Sequence, residues 1–386
     1  MLDIRNGSVL VDGAWLRSDI GICEGAISLG RKMAGACSAI DASGLLVLPG
    51  IVDMHGDAFE RQIMPRPGVA FDLETALLDT DRQLIANGIT TAFHGVTCSW
   101  EPGLRSIAST RAMLEASRKL RRSLVADTRI HLRHEVFNLG HEDEIIKWMR
   151  DGFIHALAFN DHTRGIVKAI ERRATKIEGM VQRSGLSFDD FIALVHEVIA
   201  REPSVQLSVD RLAEAARARS IPLLSHDDRD IADRQHYRGL GCLVSEFPMT
   251  RDTAAAAIED CEDTVFGAPN VLRNGSHIGC PSAADMVAQG LCTILASDYY
   301  YPSLLEAPFL LARNGAAELA DAWSLVSSNP ARAMGLPDRG RIAEGRRGDV
   351  VLVDNTGSRP RLVATIVAGT IAWLADFGRL RSQRAA

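Results

Sequence analysis

The stretch that decides the fold is Leu48-Pro49-Gly50-Ile51-Val52-Asp53-Met54-His55-Gly56-Asp57. The apolar run Val47–Met54 ends directly in an imidazole and a carboxylate two residues apart. Side chains on a strand alternate faces, so His55 and Asp57 are expected to point to the same side. A buried strand delivering two metal-ligand types at its carboxyl end is how barrel enzymes build their sites. The competing architecture, an open doubly wound sheet, is disfavoured because no glycine-rich dinucleotide fingerprint follows this strand.

Seven further strand-like runs follow: Ile89–His94, Ile130–Val136, Ile154–Asn160, Ile221–Ser225, Gly241–Glu246, Thr264–Gly267 and Thr293–Ser297. They are separated mostly by amphipathic stretches, the pattern of βα units. The expected class is therefore α/β, a (β/α)₈ TIM-like barrel over residues 49–335. One interval, Thr163 to Ser220, is too long for a plain helix and holds two or three helical stretches, such as Phe188–Ala200 and Val209–Ala218. It reads equally as a lid over the mouth or as helices packed outside.

Both ends of the chain have another texture. The first ~45 residues are short strands broken at Asn6-Gly7, Asp12-Gly13, Glu24-Gly25 and Ser43-Gly44. Near the other end, Gly348-Asp349 leads into the apolar run Val350–Val353, and Leu362–Ala368 forms a second run before Gly369. Residues 1–48 and 336–386 are accordingly expected to form one small sheet domain from both termini.

The 386 residues carry a net charge of −6, with 46% apolar and 24% charged residues. That balance suits a globular enzyme and offers no basic field for nucleic acid or an anionic membrane. Met1–Leu10 lacks the basic start and apolar stretch of a signal peptide, and no run reaches the ~20 apolar residues of a spanning helix. The cysteines, at 23, 37, 98, 242, 261, 280 and 292, form no C-x-x-C pair. They read as small apolar fillers, reduced, in a cytoplasmic protein.

The chemistry gathers at the strand ends. The third run carries His131-Leu132-Arg133-His134-Glu135, the fourth is followed by Asn160-Asp161-His162, the fifth by Ser225-His226-Asp227-Asp228, and the eighth by Ser297-Asp298-Tyr299. Three imidazoles (His55, His162, His226) and three carboxylates (Asp57, Glu135, Asp298) suffice to ligate two divalent ions, whose charge the carboxylates largely offset. Other candidates have plainer readings. Asp161, Asp227 and Asp228 suit helix caps. His131 and His134 flank the face, His94 stays undecided, and His141, His155, His196 and His236 read as surface or satisfied core residues. A mixed site of this kind accepts Zn, Mn, Fe or Mg.

At these residues the sequence resembles the amidohydrolase superfamily. The carriers are Leu48-Pro49-Gly50 with His55-x-Asp57, and the return segment Gly340-Arg341-Ile342-Ala343-Glu344-Gly345-Arg346-Arg347-Gly348-Asp349. The resemblance implies a barrel flanked by a small β-sandwich built from both termini. A narrower likeness is to the PhnM-type ribose-1-methylphosphonate 5-triphosphate diphosphatases of the carbon–phosphorus lyase pathway. It rests on Pro65-Arg66-Pro67, His131-Leu132-Arg133 with Glu135, Asp161-His162, Ser225-His226-Asp227-Asp228 and Ser245-Glu246-Phe247-Pro248. Gly267-Ala268-Pro269-Asn270, Arg273-x-Gly275-Ser276-His277, Ser297-Asp298-Tyr299-Tyr300 and Asn329-Pro330-Ala331 complete it.

That resemblance implies hydrolysis within a triphosphate chain, releasing pyrophosphate from a small phosphorylated substrate. It implies that His55, Asp57, Glu135, His162, His226 and Asp298 ligate the metals, with Glu135 bridging them and Asp298 also shuttling a proton. A polyanionic substrate calls for cations, and Arg66, Arg133 and Arg273 are the candidates, with Ser276 and His277 as further donors. The chain departs from the family's usual H-T-D-N at His55-Gly56-Asp57-Ala58, keeping the ligands and losing a polar neighbour. A C–N hydrolase with a related centre is the second reading, and a non-catalytic scaffold the third. Barrels often pair, so a homodimer is allowed, although no single patch argues for it.

Overall fold

The computed structural model describes residues 1–30, 38–66, 68–172, 176–273, 275 and 281–382. Pro67, Ser276 and His277, together with Cys37 and Cys280, lie outside the described residues. Eight parallel strands form the central sheet: β1 (Ile51–Gly56), β2 (Ile89–Cys98), β3 (Asp127–Glu135), β4 (Ala156–Asn160), β5 (Leu223–His226), β6 (Val244–Glu246), β7 (Asp263–Gly267) and β8 (Ile294–Ala296). Each pairs with its neighbour in sequence order. Helices between them bury one face against the outside of the sheet.

β8 returns to β1 and closes the ring. The Asp298 N–H donates to the His55 carbonyl and the Asp57 N–H to the Asp298 carbonyl, both at 2.9 Å. The architecture is the expected TIM-like barrel. Alternation along the strands sorts the side chains. Ala156 and Ala158 of β4 pack in the barrel interior with Val52, Met54, Phe93, Leu224 and Val265. Leu157 and Phe159 face the surrounding helices instead. Ala331, Met334 and Leu336 join the interior cluster from the segment after β8.

The apolar run around Pro49 is two strands rather than one. Leu46–Pro49 belongs to a six-stranded sheet of the terminal domain, and β1 begins at Ile51. The break falls at Gly50, where a Cβ would lie 2.4 Å from the Thr90 hydroxyl oxygen. Only glycine lets the chain pass from one sheet to the other against Thr90.

The terminal strands make two sheets. Leu2–Arg5, Ile20–Cys23, Ala26–Leu29, Ser38–Asp41 and Leu380–Ser382 form one; Ser8–Val11, Ala14–Arg17, Leu46–Pro49, Val350–Asp354, Arg361–Val367 and Thr370–Leu374 form the other. Their apolar faces meet around Ile4, Val9, Ile22, Val47, Val350 and Ile366, making the expected β-sandwich. Among the described residues three hairpin turns carry positive φ at both central residues, Asp12-Gly13, Glu24-Gly25 and Ala368-Gly369. This is the primed-turn geometry that such dipeptides signal.

Among its described residues the long interval contains four helices: Thr163–Glu171, Lys176–Ser184, Phe188–Ile199 and Glu202–Arg217. The last packs beside the helix Glu142–Arg150 and supplies the ordinary crossover to β5. The first three share a separate apolar cluster around Ile166, Phe191 and Val195, against Trp100 just beyond β2. Trp100 donates through Nε1 to the Thr163 hydroxyl at 2.8 Å. Because both residues follow the carboxyl ends of their strands, this helical insert stands beside the barrel mouth. No helix is long and apolar enough to cross a membrane among the described residues, and the described cysteines at 23, 98, 242, 261 and 292 are free thiols.

Candidate metal centre

The seam between β1 and β8 fixes the first part of the site. Asp53 is fully buried; its Oδ1 accepts from the Ser297 N–H (3.1 Å) and the His55 N–H (3.3 Å), and its Oδ2 from the Ser297 hydroxyl (2.6 Å). Burial raises the Asp53 carboxyl to about 6 despite these bonds. The register of β1 shifts between Asp53 and Gly56. Simple alternation is broken there: Met54 packs inside the barrel, yet the next residue, His55, also faces inward, with its ring against His131, His226 and Phe247. Gly56 has no room for a side chain. A Cβ there would lie 2.6 Å from Asp53 Oδ2 and 2.9 Å from Ser297 Oγ. The missing polar neighbour in His55-Gly56-Asp57 is thus explained by the Asp53–Ser297 pair, which fills its place.

From β3, His131, Arg133 and Glu135 alternate inward. His131 donates through Nδ1 to the Met54 carbonyl at 3.1 Å. The buried Arg133 guanidinium reaches His226 Nε2 at 2.9 Å and Asp57 Oδ2 at 3.4 Å. Glu135, expected to bridge the metals, meets the start of the next helix. Its Oε1 accepts from the His162 N–H (2.9 Å), the Thr163 N–H (3.3 Å) and the Thr163 hydroxyl (3.0 Å). Its Oε2 accepts from His162 Nδ1 at 3.1 Å. The carboxylate therefore anchors the first turn of the helix Thr163–Glu171, where free N–H groups and the helix dipole favour an anion.

His162 sits between two carboxylates, with Nε2 3.4 Å from Asp227 Oδ2. Burial works against its charged form, but the hydrogen bonds it donates to Asp227 and Glu135 raise it to about 9. Asp298 has φ +53°, a left-handed conformation held by its two backbone bonds across the seam. Burial, and then the neighbouring Asp57 charge, push its carboxyl up to about 7.

Two sets of donor atoms converge within 4.8 Å among the described residues: His55, His226 and Glu246, and His162, His226 and Asp227. Of the six expected ligands, His55, His162 and His226 fall in these groups; Asp57, Glu135 and Asp298 do not, although Asp57 and Asp298 border them through Arg133 and the seam. Glu246 and Asp227 are additions. Asp227 had the reading of a helix cap. Glu246 was visible only as part of Ser245-Glu246-Phe247-Pro248, at the end of a three-residue strand.

Buried polar atoms without a partner cluster here: His226 Nδ1, His131 Nε2, Glu246 Oε2, Arg133 Nε and both amide atoms of Asn160. Orphaned groups of this kind are rare in a folded chain because each costs about 1–3 kcal/mol. Converging imidazole and carboxylate acceptors are what a divalent cation satisfies, so the residues present fit a metal.

The substrate candidates are spread more widely. Arg133 lies inside the centre. Arg273 is exposed at the mouth and donates to the Tyr299 hydroxyl at 3.2 Å, one residue beyond Asp298. Arg66 is exposed on a turn whose carbonyl accepts the Val69 N–H at 3.0 Å, and its side chain forms no hydrogen bond among the described residues. Ser276 and His277 lie outside the described residues.

Comparison with known proteins agrees with this fold. The amidohydrolase family model matches residues 46–372. The alpha-D-ribose 1-methylphosphonate 5-triphosphate diphosphatase of Escherichia coli (strain K12) is 29% identical over 357 residues, covering 90% of this chain and 94% of that protein. An adenine deaminase of Methylobacterium sp. (strain 4-46) is 24% identical over 371 residues, covering 93% of this chain and 56% of that protein. Among solved structures, molinate hydrolase superposes with a TM-score of 0.65 at 13% identity, covering 96% of this chain and 94% of that chain. Dihydropyrimidinase from Brevibacillus agri NCHU1002 gives 0.58 at 14% identity, covering 96% and 94%. At such identities the structural likeness speaks for the fold alone.

Proposed function

Because the chain belongs to the amidohydrolase family, we propose that this hydrolase acts on a phosphoric anhydride, cleaving the triphosphate of ribose 1-methylphosphonate 5-triphosphate to the 5-phosphate and pyrophosphate. The observation that carries this reading is Arg133. A buried guanidinium lying among the metal donors, in contact with both His226 and Asp57, suits a substrate whose reacting group is anionic. A neutral carbonyl would not need it. The E. coli relative, similar along nearly its whole length, supports the same choice of substrate.

The cofactor in this reading is divalent metal, Zn, Mn, Fe or Mg, supplying Lewis acidity toward the phosphoryl oxygens when bound. Two donor groups offer two positions, but both use His226. A neutral imidazole has one lone pair and serves one ion at a time. The chain's own residues do the rest. Arg133 orients and neutralises phosphoryl oxygens. Asp298, raised to about 7, takes the proton of the attacking water through its carboxylate and returns it to the departing pyrophosphate oxygen. One anhydride P–O bond breaks and one P–O bond to the water oxygen forms. Arg273 at the mouth meets the distal phosphates.

The test is pyrophosphate release by the Mn²⁺- or Zn²⁺-loaded chain, with Asp298→Asn as control. Release that falls by ~10²–10⁴-fold in the control supports the reading. A folded, metal-replete chain that releases none rejects the substrate. Release of ammonia from adenine under the same conditions would favour the C–N reading suggested by the deaminase relative.

A further inference from the structure

Glu246 is a fully buried acid of the centre to which the proposed reaction gives no task. Its Oε1 lies 2.8 Å from His55 Nδ1, and both side chains are shut off from solvent. Two ligands of a single tetrahedral ion, each about 2.1 Å from the metal, stand ~3.3 Å apart. A separation of 2.8 Å is that of a charge-assisted hydrogen bond. A carboxylate only accepts, so the proton of His55 belongs on Nδ1 and the lone pair on Nε2. That second nitrogen faces Gly95 of β2, where a Cβ would come within 3.5 Å of it. The other oxygen of Glu246 stands 3.6 Å from His131 Nε2, and His131 is itself tied through Nδ1 to the Met54 carbonyl. The acid is thereby wedged between two imidazoles of fixed orientation.

We infer that Glu246 is a positioning residue for the metal: by holding Nδ1–H of His55 it fixes the tautomer and ring orientation in which Nε2 is the ligating atom. The inference rests on the metal-centre reading and goes beyond it, because it removes Glu246 from the ligands and makes the His55 ring a pre-set one. A carboxylate behind a ligating imidazole also raises its basicity, so its loss shows first in metal affinity.

The experiment titrates Zn²⁺ and Co²⁺ into the chelator-treated full chain and records both the dissociation constant and the Co²⁺ absorption spectrum. Glu246→Ala is expected to weaken binding ~10–100-fold. Glu246→Gln, whose amide oxygen still accepts from Nδ1–H, is expected to restore it to within about threefold with an unchanged Co²⁺ spectrum. A merely structural role would show in the melting temperature of the metal-free chain and would not be rescued in affinity. If Glu246→Ala fails to fold, Glu246→Met, closer in volume, replaces it. Glu246→Gln binding as poorly as Glu246→Ala, with an altered spectrum, would make Glu246 a direct ligand and overturn the inference alone. Unchanged affinity in Glu246→Ala would overturn it too. A wild-type chain that binds neither ion would sink the metal-centre reading and this inference with it.

Discussion

The barrel buries an arginine at each end, and the two are treated differently. At the amino end Arg339 has every guanidinium nitrogen engaged. Nη1 donates to the Thr91 hydroxyl (2.9 Å) and to Asp127, while Nε and Nη2 form a fork on Asp338 at 2.9 and 3.0 Å. At the carboxyl end Arg133 has an orphaned Nε, one contact with a neutral ring nitrogen and one long contact with Asp57. Around it stand further buried atoms with nothing to bond. The closed end has the satisfied network of a structural element; the open end keeps its polar capacity unspent for a ligand. Both cations are buried to a similar degree, so burial alone does not tell a site from a scaffold. Satisfaction does.

The comparison can be broken with a pair of substitutions. Arg133→Ala is expected to cut kcat by ~10²–10³-fold with a modest change in stability, since the group that stabilises developing charge is gone. Arg339→Ala is expected to cost ~1–3 kcal/mol in urea unfolding, by taking a buried guanidinium from the Thr91 hydroxyl and from Asp127, which keeps Arg129, while kcat per folded molecule stays near wild type. If both variants lost stability and activity in equal proportion, the distinction between the two ends would be false.

A smaller effect sharpens it at the seam. Gly56→Thr puts a side chain where Asp53 Oδ2 and Ser297 Oγ already stand, so the pair must separate. A loss of ~1–3 kcal/mol is expected from overpacking, with a fall in kcat because His55 and Asp298 hang from the same seam. Retained stability and activity would show that the seam yields more readily than its distances suggest.

The smallest concerns pH. In the metal-free chain the Asp298 carboxyl titrates at about 7 and Asp53 at about 6, both above the 3.8 of a free carboxyl. Between pH 4 and 7 these two groups therefore hold more protons in the folded state than in the unfolded one, whereas His94, His131, His134 and His155, lowered by burial to about 4, hold fewer below the 6.5 of a free imidazole. Their contribution to stability falls as pH rises through that window, by up to ~1.4 kcal/mol per pH unit for each group while it is protonated in the folded chain and ionised in the unfolded one. Urea unfolding in chelator at several pH values isolates the Asp298 share as the difference between wild type and Asp298→Asn, and the wild type is expected to lose stability relative to the variant as pH rises from 4 to 7. A difference that stays constant with pH would remove burial as the cause of the shift.

How much of this was legible in the sequence depends on how local the cause is. The eight strands could be read because apolar runs bounded by turn residues are local signals, and Asp12-Gly13 and Glu24-Gly25 declare their turns for the same reason. The imidazoles His55, His162 and His226 could be found because each ends a strand or directly follows one. Glu246 could not, since its task becomes visible only when His55, 191 residues away, is placed against it. Glu135 looked like a ligand by position, and its occupation depends on where the next helix begins. The division of the first apolar run at Gly50 depends on Thr90, a residue of another strand. The insert after His162 holds one helix more than its apolar pattern suggested, because the short helix Lys176–Ser184 is too polar to stand out.

The seam at Asp53 and Ser297 also sets an order of events in the life of the chain. These residues are 244 apart in sequence, and the bond between them completes the ring. A nascent chain that has finished β1 through β5 already carries His55, His162 and His226, yet nothing holds the first strand against the last until β8 docks. Long-range closures of this kind come late, after the local units have formed. The latch that joins the ends of the barrel thus defers the final placing of His55 beside the later strands until the last of the eight has been made.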